Sequence, residues 1–92
     1  GRHYADVFYY RDRSFEVDFL VAKSGVVETL YQVCYDMSEE KTRKREINGL
    51  LQGGRKFHCT DLMIITFSQE ETVIEDNMTI HIIPAAHWLI NE

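Results

Sequence analysis

The stretch EVDFLVAKSGVVETLYQVC, residues 16–34, decides the fold because it is typical of two β-strands joined by a tight turn. β-Branched and aromatic residues dominate both halves. The turn sequence Lys23-Ser24-Gly25 ends in a glycine, which adopts positive φ without steric cost. Strict alternation along residues 14–22 predicts that Phe15, Val17, Phe19 and Val21 share one face of the first strand.

The length of the turn fixes which polar side chains lie together on this hairpin. A three-residue turn with a glycine bulge places Glu16 opposite Gln32, with Asp18 and Cys34 on the same face. A two-residue Ser24-Gly25 turn shifts the register by one residue and separates these side chains. Because the glycine ends the turn sequence, we favour the three-residue form and a shared polar face.

The segments around this hairpin predict a strand at residues 7–10. The second strand of the hairpin, the third of the chain, is predicted to span residues 26–35 and to be followed by a helix. Asp36 or Ser38 is expected to cap the helix, and Gly53-Gly54 is expected to end it. The apolar run at residues 61–67 is typical of a strand paired in parallel after a helical crossover.

The last third of the chain predicts a hairpin and a short helix. Residues 72–75 and 78–83 have strand composition, and Asp76-Asn77 between them is a two-residue turn signal. Residues 85–90 are expected to form a terminal helix anchored by Trp88 and Leu89. The predicted fold class is therefore α/β, in the broad α+β sense: three antiparallel strands, a crossover helix, a parallel strand, an extra hairpin and a short C-terminal helix.

Composition limits the classes of protein that fit. The chain has 92 residues, enough for a single domain (residues 1–92), and its net charge of −5 argues against a non-specific nucleic-acid binder. No apolar run reaches the about 20 residues of a membrane helix, so we expect no membrane partner. With only Cys34 and Cys59, we expect no disulfide framework. The low cysteine content also predicts a cytoplasmic location. The first methionine is Met37, so we expect a fragment of a longer protein.

The polar residues of the hairpin resemble the core of the PD-(D/E)XK nuclease superfamily. Glu16-Val17-Asp18-Phe19 matches its first acidic element, and Gln32-Val33-Cys34 occupies the place of its E-x-K tripeptide. The resemblance implies a restriction-endonuclease-like core, in which the first acid and the Glu hold a divalent metal while the Lys helps to activate water. Here a neutral amide and a thiol replace the acid and the lysine. We therefore expect a vestigial site of Glu16, Asp18, Gln32 and Cys34 without catalysis or a resident metal, although weak Mg²⁺ binding at Asp18 stays open.

A narrower resemblance covers the chain from about Tyr9 to Trp88. Residues 16–19, 32–36, 42–46 and 62–66 together look like the C-terminal domain of predicted AAA-type ATPases of bacteria and archaea. This resemblance implies a prokaryotic parent whose upstream ATPase module holds ATP and Mg²⁺. The 92 residues contain no G-x-x-x-x-G-K-[ST] loop, so no cofactor is expected in this fragment. The expected partners are that upstream module and another protomer.

Three functions remain open at this point. The leading one is a non-catalytic accessory domain that acts in structure or partner recognition, in which Arg43 or Arg45 pairs with Glu16 or Asp18. The second is a metal-dependent nuclease with a relocated ligand, Glu46. The third is a nucleic-acid-binding module. The residues that would contact phosphate near the helix N-terminus are Lys41, Arg43, Lys44 and Arg45.

Zinc is a further possibility that the spacing of the ligands disfavours. His58, Cys59, Cys34 and His81 are the residue types that bind zinc. The C-x-x-C spacing of structural zinc sites is absent from the sequence, so we expect no zinc.

Overall fold

The computed structural model describes residues 5–90, with side chains as far as His87. The chain forms a mixed α+β fold with one six-stranded sheet and one main helix, as the order of segments predicted. The elements are β1 (Asp6–Arg11), β2 (Glu16–Lys23), β3 (Val26–Val33), α1 (Glu40–Phe57), β4 (Leu62–Thr66), β5 (Glu71–Glu75), β6 (Met78–Pro84) and α2 (Ala85–Ile90). No helix within residues 5–90 has both the length and the apolar character needed to cross a membrane.

The strands lie in the order β1-β2-β3-β4-β6-β5. β1, β2 and β3 are antiparallel neighbours, and α1 then carries the chain over to β4, which pairs in parallel with β3. This confirms the predicted three antiparallel strands, crossover helix and parallel strand. The final hairpin places β6 in parallel against β4 and leaves β5 at the edge. The apolar β4 therefore lies between two parallel partners, where four of its five residues are buried.

The turn between β2 and β3 is shorter than predicted. Lys23 pairs with Val26, so only Ser24 and Gly25 form the loop, with φ of 52° and 78°. These two positive φ values suit the right-handed twist of a two-residue hairpin, which is why the glycine stands second rather than at a bulge. The prediction of a three-residue turn, with Glu16 opposite Gln32, is wrong.

An extra residue in β3 nevertheless restores the predicted grouping of faces. Ala22 pairs with Val27 but Val21 pairs with Thr29, so Glu28 has no counterpart in β2. Beyond this irregularity Phe19 lies opposite Tyr31, and continuing the register by one residue sets Gln32 level with Asp18. A one-residue insertion reverses which face the later side chains occupy, so it cancels the effect of the shorter turn.

A second irregularity lies in β2, where it meets β1. Leu20 pairs with Phe8 and Val17 with Tyr10, so three steps along β2 match two along β1. The extra residue falls at Asp18 or Phe19. As a result Val17 and Leu20, an odd number of residues apart, are both buried in the core, while Phe19 is exposed. The expectation that Phe15, Val17, Phe19 and Val21 share one face is therefore wrong.

Helix α1 begins later than predicted because residues 36–38 form a turn that buries Met37. The side chain of Asp36 accepts a hydrogen bond from the Ser38 N–H, which makes a local turn instead of a helix cap. Met37 is buried in the core, and its N–H donates to Gln69 Oε1 at 2.6 Å. The N-cap is Glu39, which makes no side-chain capping bond, so neither Asp36 nor Ser38 has the predicted role.

The helix also ends later than predicted. Gly53 and Gly54 lie inside α1, and the helix continues to Phe57, where His58 adopts a left-handed conformation as the C-cap. The Cys59 N–H donates to the Gly54 carbonyl to close this end. A Cβ on Gly53 would lie 2.9 Å from Leu30 Cδ1 and 3.0 Å from Val17 Cγ2, so this glycine allows the helix to approach the sheet closely.

The remaining predictions for the C-terminal part hold. Asp76 and Asn77 form the turn of the last hairpin with φ of 53° and 62°, and α2 spans the expected residues. α2 packs against β4 and β6. The side chains of Trp88 and Leu89, which were expected to anchor it, lie outside the described side chains.

Because α1 approaches the sheet closely, we expect a substitution at Gly49 to be destabilising. A Cβ there would lie 2.8 Å from Gln32 Nε2 and 2.9 Å from the Glu16 carbonyl oxygen. Gly49→Ala is expected to lower the free energy of unfolding by about 1–3 kcal/mol, because overpacking outweighs the gain in helix propensity. Urea unfolding of the variant and the wild type measures this difference.

The matched control is Asn48→Ala, because Asn48 is exposed on the same helix. This substitution is expected to be neutral or to stabilise by about 0.5 kcal/mol through propensity alone. Stabilisation by Gly49→Ala of the size expected for an open helix position would contradict the close packing.

Candidate functional site

Three of the four hairpin residues predicted to form the site border one cleft beside the N-terminal half of α1. The cleft has a volume of about 330 Å³. Glu16, Asp18 and Gln32 all line it, whereas Cys34 does not. The other lining residues come from the β1–β2 loop and from one face of α1: Arg11, Asp12, Arg13, Ser14, Phe15, Arg45, Glu46, Asn48 and Gly49. The sequence therefore located three of the four hairpin residues at a shared site.

Gln32 is the most buried polar residue of this cleft, with 2% of its surface exposed. Its Nε2 donates to the Glu16 carbonyl at 3.0 Å, and its Oε1 accepts from the Asp18 N–H at 2.9 Å. A carboxamide supplies one acceptor and two donors in one plane, so it pairs with two backbone groups of a strand much as a neighbouring peptide does. Gln32 thus provides hydrogen-bond partners for two backbone groups of β2. These groups lie beyond Phe19 and Tyr31, where the regular pairing of β2 with β3 ends.

Asp18 completes this link from the other strand. Its Oδ2 accepts a hydrogen bond from the Val33 N–H at 2.8 Å. The side chain of each strand therefore bonds the backbone of the other, and we call Asp18 and Gln32 together the strand clamp. The clamp lies next to the extra residue of β2, where the backbone groups are out of step with the regular ladder.

The remaining predicted site residues are also engaged. Glu16 Oε2 accepts a hydrogen bond from the Tyr9 hydroxyl at 2.6 Å, and this bond raises the pKa of Tyr9. The thiol of Cys34 lies 3.4 Å from the Asp36 carbonyl oxygen, and burial raises the pKa of this thiol. A thiol with a raised pKa stays neutral at pH 7, so it provides no charge to the site.

Glu46 brings a third carboxyl group toward Glu16 and Asp18. Its side chain is only 16% exposed. Burial raises the pKa of Glu46, and the negative charge of Asp18 raises it further, while nearby Arg45 opposes the shift. Among residues 5–90, no group of three or more His, Cys, Asp or Glu side chains is arranged to hold a metal ion.

The basic residues near the start of α1 have carboxylate partners of their own. Arg43 makes a two-pronged contact with Glu71, at 2.9 and 2.5 Å. Lys44 lies 3.7 Å from Glu40, and Arg45 lies 3.4 Å from Glu46. The expectation that Arg43 or Arg45 pairs with Glu16 or Asp18 is therefore wrong.

These contacts also bear on the phosphate-binding hypothesis. Arg43 points across to β5, while Lys41, Lys44 and Arg45 are exposed on α1. Arg43, Lys44 and Arg45 line a shallow groove of about 700 Å³ together with Glu75 and Asp76 of the last hairpin. The four cations thus do not form one uninterrupted positive surface, because acidic residues face three of them.

Gly49 belongs to the site and was not recognised in the sequence. It lies directly over Gln32 and the Glu16 carbonyl, so any larger residue would displace the clamp. The available signal was the four-residue spacing of Gly49 and Gly53, which places both on one side of a helix. Two glycines at that spacing within a helix point to close packing against another element.

Comparisons of this chain with protein-family models, with curated proteins and with solved structures find no match.

The strand clamp predicts a large loss of stability when Gln32 is replaced. Gln32→Met keeps a similar volume but leaves the Glu16 carbonyl and the Asp18 N–H without their side-chain partner. Two part-buried backbone groups without partners are expected to lower the free energy of unfolding by about 2–4 kcal/mol. Urea unfolding measures the change, and Gln52→Met, on the same helix as Gly49 and only partly buried, is the control with an expected effect within about 0.5 kcal/mol. Equal effects of the two substitutions would contradict the clamp.

The carboxyl cluster predicts that Glu46→Gln stabilises the domain at neutral pH. The folded-state pKa of Glu46 is raised, so its proton contributes stability below the ordinary pKa of 4.5, and this contribution is lost as pH rises through the folded value. The advantage of Glu46→Gln over the wild type should therefore shrink as pH falls from about 7 toward 4.5.

Urea unfolding at a series of pH values tests this dependence. Glu75→Gln is the control, since Glu75 is exposed at the end of β5 and its replacement is expected to change stability little. An advantage of Glu46→Gln that grew with acidity would show that the sign is wrong.

Proposed function

We propose that this chain is a non-catalytic, nuclease-like accessory domain of an AAA-type ATPase, acting in structure or partner recognition. Under this proposal the nucleotide and its Mg²⁺ bind an upstream module of the parent protein. The resemblance of the short motifs to the C-terminal domains of prokaryotic AAA-type ATPases supports the proposal that the parent protein is such an ATPase. The arrangement of three antiparallel strands, a crossover helix and a parallel strand is compatible with a restriction-endonuclease-like core.

The observation that carries the proposal is the use of Gln32. This residue stands where the nuclease motif has its metal-binding Glu, and both ends of its carboxamide are bound to the backbone of β2. Its oxygen already accepts from the Asp18 N–H, so metal binding there would break the clamp. Under the proposal, the position of the metal-binding Glu has a structural role in this domain.

The rest of the motif supports the same conclusion. Metal-assisted hydrolysis of a phosphodiester needs hard oxygen ligands for the ion and a positive charge near the reacting phosphate. Asp18 offers a carboxylate, but one of its oxygens binds the Val33 N–H. Cys34, in the place of the lysine, carries no positive charge. Asp18 is therefore better suited to joining β2 and β3 than to holding an ion.

A cleavage assay combined with stability measurements tests the proposal. The wild type is expected to cleave neither single-stranded nor double-stranded DNA or RNA in Mg²⁺ or Mn²⁺. Asp18→Ala should lower the free energy of unfolding by about 1–3 kcal/mol, because the Val33 N–H loses its acceptor. Asp18→Asn retains an acceptor and should cost less. Metal-dependent cleavage by the wild type that Asp18→Asn abolishes would overturn the proposal.

A metal-dependent nuclease is the second candidate, and one observation favours it. Glu46 lies close enough to Asp18 and Glu16 for their charges to raise its pKa, and a divalent cation would relieve that repulsion. Calorimetric titration with Mg²⁺ and Mn²⁺ separates the two candidates. Binding that Glu46→Gln removes would support the metal site, whereas no heat of binding at millimolar metal would eliminate it.

A further inference from the structure

Three exposed apolar side chains lie together where β3 and β4 end. Tyr35 is 73% exposed and Phe67 62% exposed, and their rings stack with centroids 5.1 Å apart and planes 11° apart. Val33, the last residue of β3, lies two residues before Tyr35 and is also exposed. We call Val33, Tyr35 and Phe67 the aromatic pad.

The backbone beneath the pad is firmly held. Parallel pairing of the two strands continues past their ends, with the Cys34 N–H donating to the Ile65 carbonyl at 2.9 Å and the Phe67 N–H to the Tyr35 carbonyl at 3.1 Å. Gln32 faces α1 through its contact with Gly49, and alternation along β3 places Val33 on the opposite face. The backbone that carries the pad is therefore fixed by the sheet, and none of the three pad residues lines the cleft.

A negative charge next to Tyr35 in the sequence favours a cationic occupant. Asp36 directly follows Tyr35, is exposed, and has a pKa lowered by hydrogen bonds from Ser38, so it is ionised at neutral pH. None of the ion pairs among the described side chains involves Asp36. Among the described side chains, the cation–π contact joins Lys56 of α1 to Tyr10 of β1 and does not involve the pad.

The net charge of the chain makes other occupants less suitable. At −5, two copies of this domain repel each other, and so do the domain and a phosphate backbone. Arginine combines a positive charge with a planar group that stacks on aromatic rings and forms two-pronged bonds with carboxylates. A chain segment carrying arginine thus matches both the ring faces and Asp36.

We propose that the aromatic pad binds an extended, arginine-bearing segment of a partner protein, with a guanidinium stacked on Tyr35 or Phe67 and paired with Asp36. This inference rests on the proposed role in partner recognition and gives that partner a chemistry. Large apolar side chains exposed side by side are typical of interaction sites. The rigid backbone lowers the entropic cost of binding, because the rings are already in place.

Titration of the ¹⁵N-labelled domain with capped GRFRG peptide tests the proposal by NMR. Saturable shifts are expected at the amides of Val33, Tyr35, Asp36 and Phe67, with no such shifts for GEFEG. Tyr35→Ala should weaken binding about two- to fivefold, the loss expected for an exposed cation–π contact. Asp36→Asn should weaken binding and reduce its dependence on salt. The double variant Tyr35→Ala/Phe67→Ala should abolish saturation.

Ile74→Ala is the matched control, since Ile74 is 75% exposed but lies on β5 at the edge of the sheet. It should leave peptide binding unchanged. Dispersed spectra establish that each variant is folded, and the replaced side chains are exposed, so the fold should survive.

Three outcomes would overturn the inference. They are the absence of saturable binding of GRFRG, a concentration-dependent dimer that Tyr35→Ala abolishes, and tighter binding of a thymidine decamer at the same amides. None of these outcomes concerns cleavage or the clamp, so a failure here is distinguishable from a failure of the proposed function.

Discussion

The fold depends on the hydrogen bonds between the Gln32 side chain and the backbone of β2. At this point β2 contains an extra residue, and regular pairing with β3 has ended. Without the carboxamide, a part-buried carbonyl and a part-buried N–H would lack partners beneath the helix, at a cost of about 1–3 kcal/mol each. Helix α1 rests on the same spot through Gly49, so the helix, both strands and the side-chain amide are fitted to one another.

This arrangement agrees with the proposed role outside catalysis. A metal site needs carboxylate oxygens that are free to bind an ion, whereas a strand junction needs side chains that both donate and accept. An amide at position 32 serves the second need and not the first. The same contacts explain why Asp18 remains useful, because it accepts from the Val33 N–H. Chemical function and structural function make opposite demands on these two positions, and here the structural one is satisfied.

Much of the architecture was predictable from local patterns. The order of elements, the parallel β4, the Asp76-Asn77 turn and the bounds of α2 followed from composition, periodicity and turn residues. The register of β2 and β3 did not, because it depends on two single-residue irregularities that leave no mark in hydrophobic alternation. The start of α1 was misplaced because burial of Met37, a tertiary effect, outweighed a plausible cap at Asp36. For the site, the sequence identified Glu16, Asp18 and Gln32, but the position of Gly49 over them required the packed helix.

The unpaired Glu28 has a consequence for how this domain tolerates change over evolution. This extra residue returns the later side chains of β3 to the faces that the two-residue turn would otherwise exchange. Replacing Glu28 alters one exposed side chain, but deleting it would exchange the faces of every later residue of β3 and move Val33 into the place of Gln32. Substitutions near the hairpin turn are therefore far more acceptable than changes in its length. Related chains should differ in amino-acid type between the Ser24-Gly25 turn and Gln32 while keeping the same number of residues in this segment.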